Sequence, residues 1–168
     1  KDKKLTDPRI WIKDLDIEST EDIAVPKMLI DQVIGQEQGV EIVNFSPLRD
    51  NQVPENVDAI ILGGGFPEVF AEELALNKNM LNSLKKTVES GIPCYAECGG
   101  LMVLAEGLKL QSGRLLSMVG VVPGIVEMTK QLQHFGYCKI DLPKYGEIRG
   151  HEFHYSSWSD ETKKANLW

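Results

Sequence analysis

The sequence predicts an α/β fold: a doubly wound, mostly parallel sheet flanked by helices, with added β-strands toward the C-terminus. Three observations predict it. From Ile23 onward, short apolar runs alternate with helix-length amphipathic stretches. Glycine clusters stand at the ends of two of those runs, Gly63 to Gly65 and Gly99 to Gly100. After Gly113 the pieces become strand-length and are separated by Pro, Gly and charged turns.

Residues 1–22 mix charges with a few large apolar side chains and hold no period, which predicts a linker or N-terminal extension. Within it Ile10, Trp11 and Ile12 are expected either to rest on a neighbouring surface or to form a short packed helix. Residues 23–168 form the predicted domain. Ile23 to Val25 reads as a strand, Met28 to Gln38 as a helix ended by Gly39, and Val40 to Phe45 as a strand closed by Ser46 and Pro47. Ala59 to Leu62 reads as a buried strand, followed by Gly63, Gly64 and Gly65. A helical region from about Glu68 to Ser90 is expected to break near Asn77 and end at Gly91. Ile92 to Ala96 then reads as a strand running into Glu97, Cys98, Gly99 and Gly100, with a helix over Leu101 to Leu108. The segments MVGVVPG, IVEM, GYCKI and IRGHEFHYS complete the pattern as added β-structure.

Composition narrows the function. The 168 residues suit one domain, and 42% hydrophobic residues supply a core. With 18 Lys+Arg against 25 Asp+Glu the net charge is −7, and no basic run offers a footprint for nucleic acid. The apolar runs fall well short of the roughly 20 residues that cross a bilayer, so a cytoplasmic protein without membrane contact is expected.

Three cysteines fit neither a disulfide framework nor paired zinc ligands, and no metal site is expected. The segment GIPCYAECGGLMVLAEGL has the anatomy of a nucleophile elbow: a buried strand, one reactive residue in a tight turn, then small residues and a helix. Cys98 sits at the turn. The helix behind it is expected to aim free backbone N–H groups and the positive end of its dipole at the sulfur, the setting that suits a thiolate nucleophile. Cys94, inside the strand, and Cys138 are expected to be core filler. LGGGFPE offers a backbone that can approach a ligand closely, and its N–H groups could pair with that of Gly99 to hold an oxyanion. Gly65 is followed by Phe66, Pro67 and Glu68, which departs from both common phosphate-binding glycine motifs. A thiolate also needs a base, and the histidines are His134, His151 and His154. Read as a strand, HEFH places His151 and Phe153 on one side and Glu152 and His154 on the other, while His134 reads as a surface residue near a turn.

LGGGFPE, PCYAECGGLMVL and RGHEFHYS, in this order, resemble the class I glutamine amidotransferase domain of the cobyrinic acid a,c-diamide synthase family, over about Ile23 to Ser156. The resemblance implies that glutamine is hydrolysed through a cysteinyl thioester, with Cys98 as nucleophile, His154 as base and Gly64, Gly65 and Gly99 around the oxyanion. It also implies an ATP-dependent synthetase domain as partner in the full-length chain and a corrinoid-type acid as acceptor. ATP and Mg2+ are expected only there, no cofactor is expected in this domain, and a homodimer is allowed. The sequence departs from the pattern in two places. Many class I glutaminases carry Glu two residues after the catalytic histidine, where this sequence has Ser156, so a Cys-His dyad is expected, with Glu97 and Glu152 as candidate orienters. The chain also runs directly from IAVP to KMLIDQV, where the family has an aromatic-rich loop. Related domains serve nickel-sirohydrochlorin or cell-wall lipid acceptors, and a catalytically incompetent regulatory domain is a further alternative.

Overall fold

The structure, a computed structural model, describes residues 41–142 and 146–159. The expected linker, the strand Ile23 to Val25 and the helix Met28 to Gln38 lie outside the described residues. Residues 41–45, expected to belong to a strand, pair with no strand among the described residues. The chain turns directly after them. The N–H groups of Arg49 and Asp50 donate to the Ser46 carbonyl at 3.1 and 2.9 Å, and the Ser46 N–H donates to the Asp50 carboxylate at 2.7 Å.

Strand β1 (Ile60–Leu62) pairs in parallel with β2 (Cys94–Ala96), Ile60 opposite Cys94 and Leu62 opposite Ala96. The helical crossover that a parallel pair requires is divided, as the sequence predicts, into α1 (Ala71–Leu76) and α2 (Lys78–Glu89). Asn77 makes the break. Its backbone leaves the helical region at ψ 62°, and its side-chain carbonyl accepts from the Met80 N–H, capping α2. Its amide donates to the carbonyls of Pro47 (2.9 Å) and Asp50 (2.8 Å), tying the helix junction to the preceding turn. Helix α2 buries Met80, Leu81 and Leu84 and ends before Gly91, whose φ is 93°.

Helix α3 (Gly99–Leu104) is shorter than expected: Ala105 is already extended, and β3 (Ala105–Lys109) occupies the rest of the apolar run. Periodicity cannot separate a buried helix from a buried strand, and here sheet pairing decides. Strand β3 is flanked by β4 (Leu115–Ser117), antiparallel, and β5 (Val122–Met128), parallel. With β8 (Ser156–Ser159) antiparallel to β5, the order is β4-β3-β5-β8. The core joins Leu62, Leu74, Met80, Leu84, Val103, Leu108 and Val126, which are almost fully buried.

Strands β6 (His134–Leu142) and β7 (Gly146–His154) form a separate antiparallel hairpin, His134 opposite His154. Its base is tied to the end of β5: the Thr129 N–H donates to the Tyr155 carbonyl at 2.7 Å and the Gln133 N–H to the His154 carbonyl at 2.9 Å. The described residues thus form an α/β arrangement with the expected added β-structure. Among them, parallel pairing is confined to β1 with β2 and β3 with β5. No helix among the described residues is long and apolar enough to cross a membrane.

Asn77→Ala is expected to lower stability by about 2 kcal/mol, because a helix cap and two carbonyl partners are lost together. Asn77→Asp keeps the capping oxygen and should fall between the two. Urea unfolding of the three proteins tests the order.

Candidate active site

The turn between β2 and α3 is pinned by its main chain. The Glu97 N–H donates to the Leu62 carbonyl at 3.0 Å, extending the β1 pairing by one step. The Gly100 N–H is shared between the carbonyls of Gly63 (3.0 Å) and Glu97 (2.8 Å), and the Met102 N–H donates to the Cys98 carbonyl at 3.2 Å. Between these ties Cys98 is held at φ 49°, ψ −112°. Such a backbone costs a cysteine on the order of 1–3 kcal/mol and persists only where its surroundings impose it. Cys98 is exposed, as a nucleophile on an elbow needs to be.

Gly99 and Gly100 are buried, and no larger residue fits. A Cβ on Gly100 would lie 2.3 Å from the Leu62 carbonyl oxygen, and one on Gly99 would lie 2.5 Å from the Gly65 oxygen and 2.8 Å from Pro67 Cδ. The obstacles are mostly main chain, which cannot swing aside. The two glycine clusters of the sequence are therefore the two sides of one contact. Gly64 completes it, since a Cβ there would stand 3.8 Å from that of Cys98.

The structure narrows the set of amides expected to face the sulfur. Helix α3 has only six residues, and the Gly100 N–H is already engaged. The amides of Gly64, Gly65 and Gly99 have no backbone acceptor among the described residues, so these three can donate to a ligand. Next to the elbow, the Tyr95 hydroxyl donates to Glu97 Oε2 at 3.0 Å. Partial burial, then the neighbouring Glu97 charge and this hydrogen bond, push the Tyr95 phenol up to about 12. In the glycine loop, burial raises Glu68 above the ordinary carboxylate range.

Strand β7 has the expected alternation. His151 and Phe153 share one face with Phe135, His151 and Phe153 each meeting the Phe135 ring edge-to-face. Glu152 and His154 share the other face with His134. His154 Nδ1 lies 2.8 Å from the Ser156 carbonyl oxygen. A carbonyl only accepts, so Nδ1 carries the proton, and in the neutral ring Nε2 is then the nitrogen with the lone pair. Ser156, two residues after His154, thus meets the imidazole through its main chain. His134 is a surface residue just past a turn, as expected. It also opens β6, and its Nε2 lies 3.6 Å from Glu152 Oε2, which is also 3.8 Å from His154 Nε2. That grouping was hidden from the sequence because it depends on the hairpin register, which places residues twenty apart directly opposite each other.

The predicted site residues thus fall into two groups. Cys98, Gly64, Gly65 and Gly99 are gathered at one turn, and His154 lies on the hairpin. The groups are connected through the sheet: α3 leads into β3, β3 pairs with β5, and β5 pairs with β8, which begins two residues after His154. No hydrogen bond or ion pair joins Cys98 to a histidine among the described residues. Cys94 packs against the core as expected, and burial pushes its thiol up. Cys138 does not belong to the core: it lies half-buried in the hairpin, with Sγ 3.2 Å from where a Cβ on Gly150 would stand. Among the described residues no group of three His, Cys, Asp or Glu is placed to hold a metal ion.

The strand expected to be buried is only half-buried, with Tyr95 exposed; this strand, the strained cysteine turn and the glycine-first helix define an elbow-type α/β domain. More particularly, the chain belongs to the CobB/CobQ-like glutamine amidotransferase domain family, whose model matches residues 34–167. Among curated relatives, cobyrinate a,c-diamide synthase of Caldanaerobacter subterraneus subsp. tengcongensis is 49% identical over 72% of this chain and 28% of its own length. The Listeria innocua protein of the same name is 50% identical over 70% of this chain and 27% of its own, and that of Salmonella typhimurium 46% identical over 74% and 28%. The chain therefore spans just over a quarter of the length of the curated relatives it matches. A solved glutamine amidotransferase aligns over 59% of this chain and 52% of its own, at 20% identity and a TM-score of 0.44, a partial likeness.

Two outcomes are expected. Iodoacetamide at neutral pH should modify exposed Cys98 well before Cys94, whose raised thiol pKa and burial leave little reactive thiolate until the pH passes the ordinary thiol range; peptide mass mapping across pH reads the order. Gly100→Ala should lower stability by roughly 1–3 kcal/mol or more, through a main-chain clash that no rotamer relieves, measured by denaturant unfolding.

Proposed function

We propose that this chain is the glutaminase domain of a cobyrinate a,c-diamide synthase, releasing ammonia from glutamine for the ATP-dependent amidation of the a and c carboxylates of a corrinoid-type acid. The observation that carries the reading is the elbow itself. An exposed thiol is held at a positive φ directly before two buried glycines, and the amides of Gly99 in this turn and of Gly64 and Gly65 in the adjoining loop have no backbone acceptor among the described residues. The relatives' shared name supports the acceptor, and their greater length supports a fused synthetase region, where ATP and Mg2+ would be used. The doubly wound sheet expected of the whole domain belongs to the same reading, with β1, β2 and their helices as its described part.

The chemistry follows from the groups present. Cys98 Sγ attacks the carboxamide carbon of glutamine as His154 Nε2 takes the thiol proton. The S–C bond forms and the carbonyl π electrons move onto oxygen. The amides of Gly64, Gly65 and Gly99 are the donors for that oxyanion. When the carbonyl re-forms, the C–N bond breaks and ammonia leaves with the proton that His154 returns. Water, deprotonated by the same Nε2, then attacks the thioester, and glutamate departs as the thiol is restored. A neutral imidazole is needed at the first step, and the hydrogen bond from Nδ1 to the Ser156 carbonyl keeps Nε2 available for it. The reading requires His154 and Cys98 to meet through glutamine, since no direct bond joins them.

Labelling with the glutamine mimic diazo-oxo-norleucine (DON) tests this reading. Cys98 should be modified, and Cys98→Ala should abolish the mass shift. His154→Ala should slow labelling by about a hundredfold, the usual contribution of a general base, whereas His151→Ala, on the opposite face of β7, should change it little. Labelling that persists in Cys98→Ala, or equal losses from the two histidine variants, would sink the assignment.

A further inference from the structure

The two nitrogens of His154 meet different partners. Nδ1 donates to the Ser156 main chain, whereas Nε2, the atom that would take the thiol proton, faces the Glu152 carboxylate at 3.8 Å. The same Oε2 lies 3.6 Å from Nε2 of His134, and the two imidazoles stack with centroids 6.3 Å apart and planes 18° from parallel. The three side chains share one face of the β6–β7 hairpin, where His134 and His154 are paired strand residues and Glu152 stands two residues before His154.

This arrangement differs from an orienting carboxylate on the far side of the ring. The main chain already selects the tautomer, so Glu152 is not needed for that task. Its negative charge instead lies beside the nitrogen that becomes positive when the proton arrives. His134 contacts the same oxygen, and its ring limits where the His154 ring can turn.

Resting on the glutaminase reading, we propose that Glu152, held in place by His134, is the positioning residue of the general base. Its carboxylate stabilises the His154 imidazolium that forms as Nε2 takes the proton of Cys98, and it keeps the ring on the working side of the hairpin. His134 acts only through Glu152. The groups are half-exposed, with side-chain exposures of 38%, 43% and 48% for His154, Glu152 and His134, so the effect is moderate. A pair of this exposure is worth about fivefold in a rate.

The test uses the complete chain and DON, whose labelling requires the same transfer. The thiol proton passes through His154 to the diazo carbon, the S–C bond forms and dinitrogen leaves. Glu152→Gln should lower the maximal labelling rate about fivefold at an unchanged half-saturating concentration, and Glu152→Asp should recover most of it. His134→Gln should cost less, and in the Glu152→Gln background it should cost nothing further, because its partner is gone. A side chain that merely holds the hairpin together would move the half-saturating concentration as well, and Asp would not rescue it. An unchanged rate in Glu152→Gln, additive losses in the double variant, or a loss that Asp fails to repair overturns the proposal. If the unsubstituted chain is not labelled at Cys98, it is the glutaminase reading that fails. If it is labelled and Glu152→Gln matches it, only the role of Glu152 fails.

Discussion

Everything at the elbow depends on one close approach, the main chain of Gly99 and Gly100 lying against the main chain of Leu62 to Gly65. The two backbones come this near because Gly99 and Gly100 carry no Cβ where they meet the Leu62 and Gly65 carbonyls. The approach lets the Gly63 carbonyl reach the Gly100 amide, and this, with the Glu97 bond to Leu62, locks the turn from both sides. Cys98 has no freedom to relax its strained φ without breaking those bonds. The strain is therefore a consequence of packing, and the exposed position of the thiol is its result.

The same contact brings the glycine loop, whose Gly64 and Gly65 amides have no backbone acceptor among the described residues, up to Cys98 and Gly99. Had the glycine loop stood farther away, Cys98 would have only the first turn of a six-residue helix beside it, a weak source of positive potential. Here Gly64 approaches the Cys98 side chain and Gly65 lies against Gly99, so the glycine loop and the elbow are in direct contact. The hairpin is organised differently. Its shape comes from strand pairing and its attachment from a few bonds at Thr129 and Gln133, and it carries His134, Glu152 and His154 on one face and Phe135, His151 and Phe153 on the other. The elbow is thus fixed by main-chain packing, and His154 is carried by a separately paired hairpin.

Much of this was legible in the sequence. Asn77 was readable as a break because an Asn within a long amphipathic stretch can end one helix and cap the next. The elbow was readable because an apolar run, a cysteine and two glycines follow each other directly. Three features were not readable. The apolar run after Cys98 contains both a helix and a strand, and only pairing with β4 and β5 divides it. Cys138 looked like core filler because its apolar neighbours were visible and the separation of its hairpin from the core was not. The segment 41–45 looked like a strand because its composition is right, yet it pairs with none of the described strands.

The sequence by itself determined the class of domain, the placing of a cysteine at the turn and the presence of glycine at the two places where backbones meet, because these depend on residues close together in the chain and on steric facts that hold in any context. Tertiary structure alone decided which glycines press on which carbonyls, which nitrogen of His154 keeps its lone pair, and that His134 and Glu152 stand beside it. Those relations are set by strand register and by contacts across the fold, and a one-residue shift of β7 against β6 would remove them without changing a single residue.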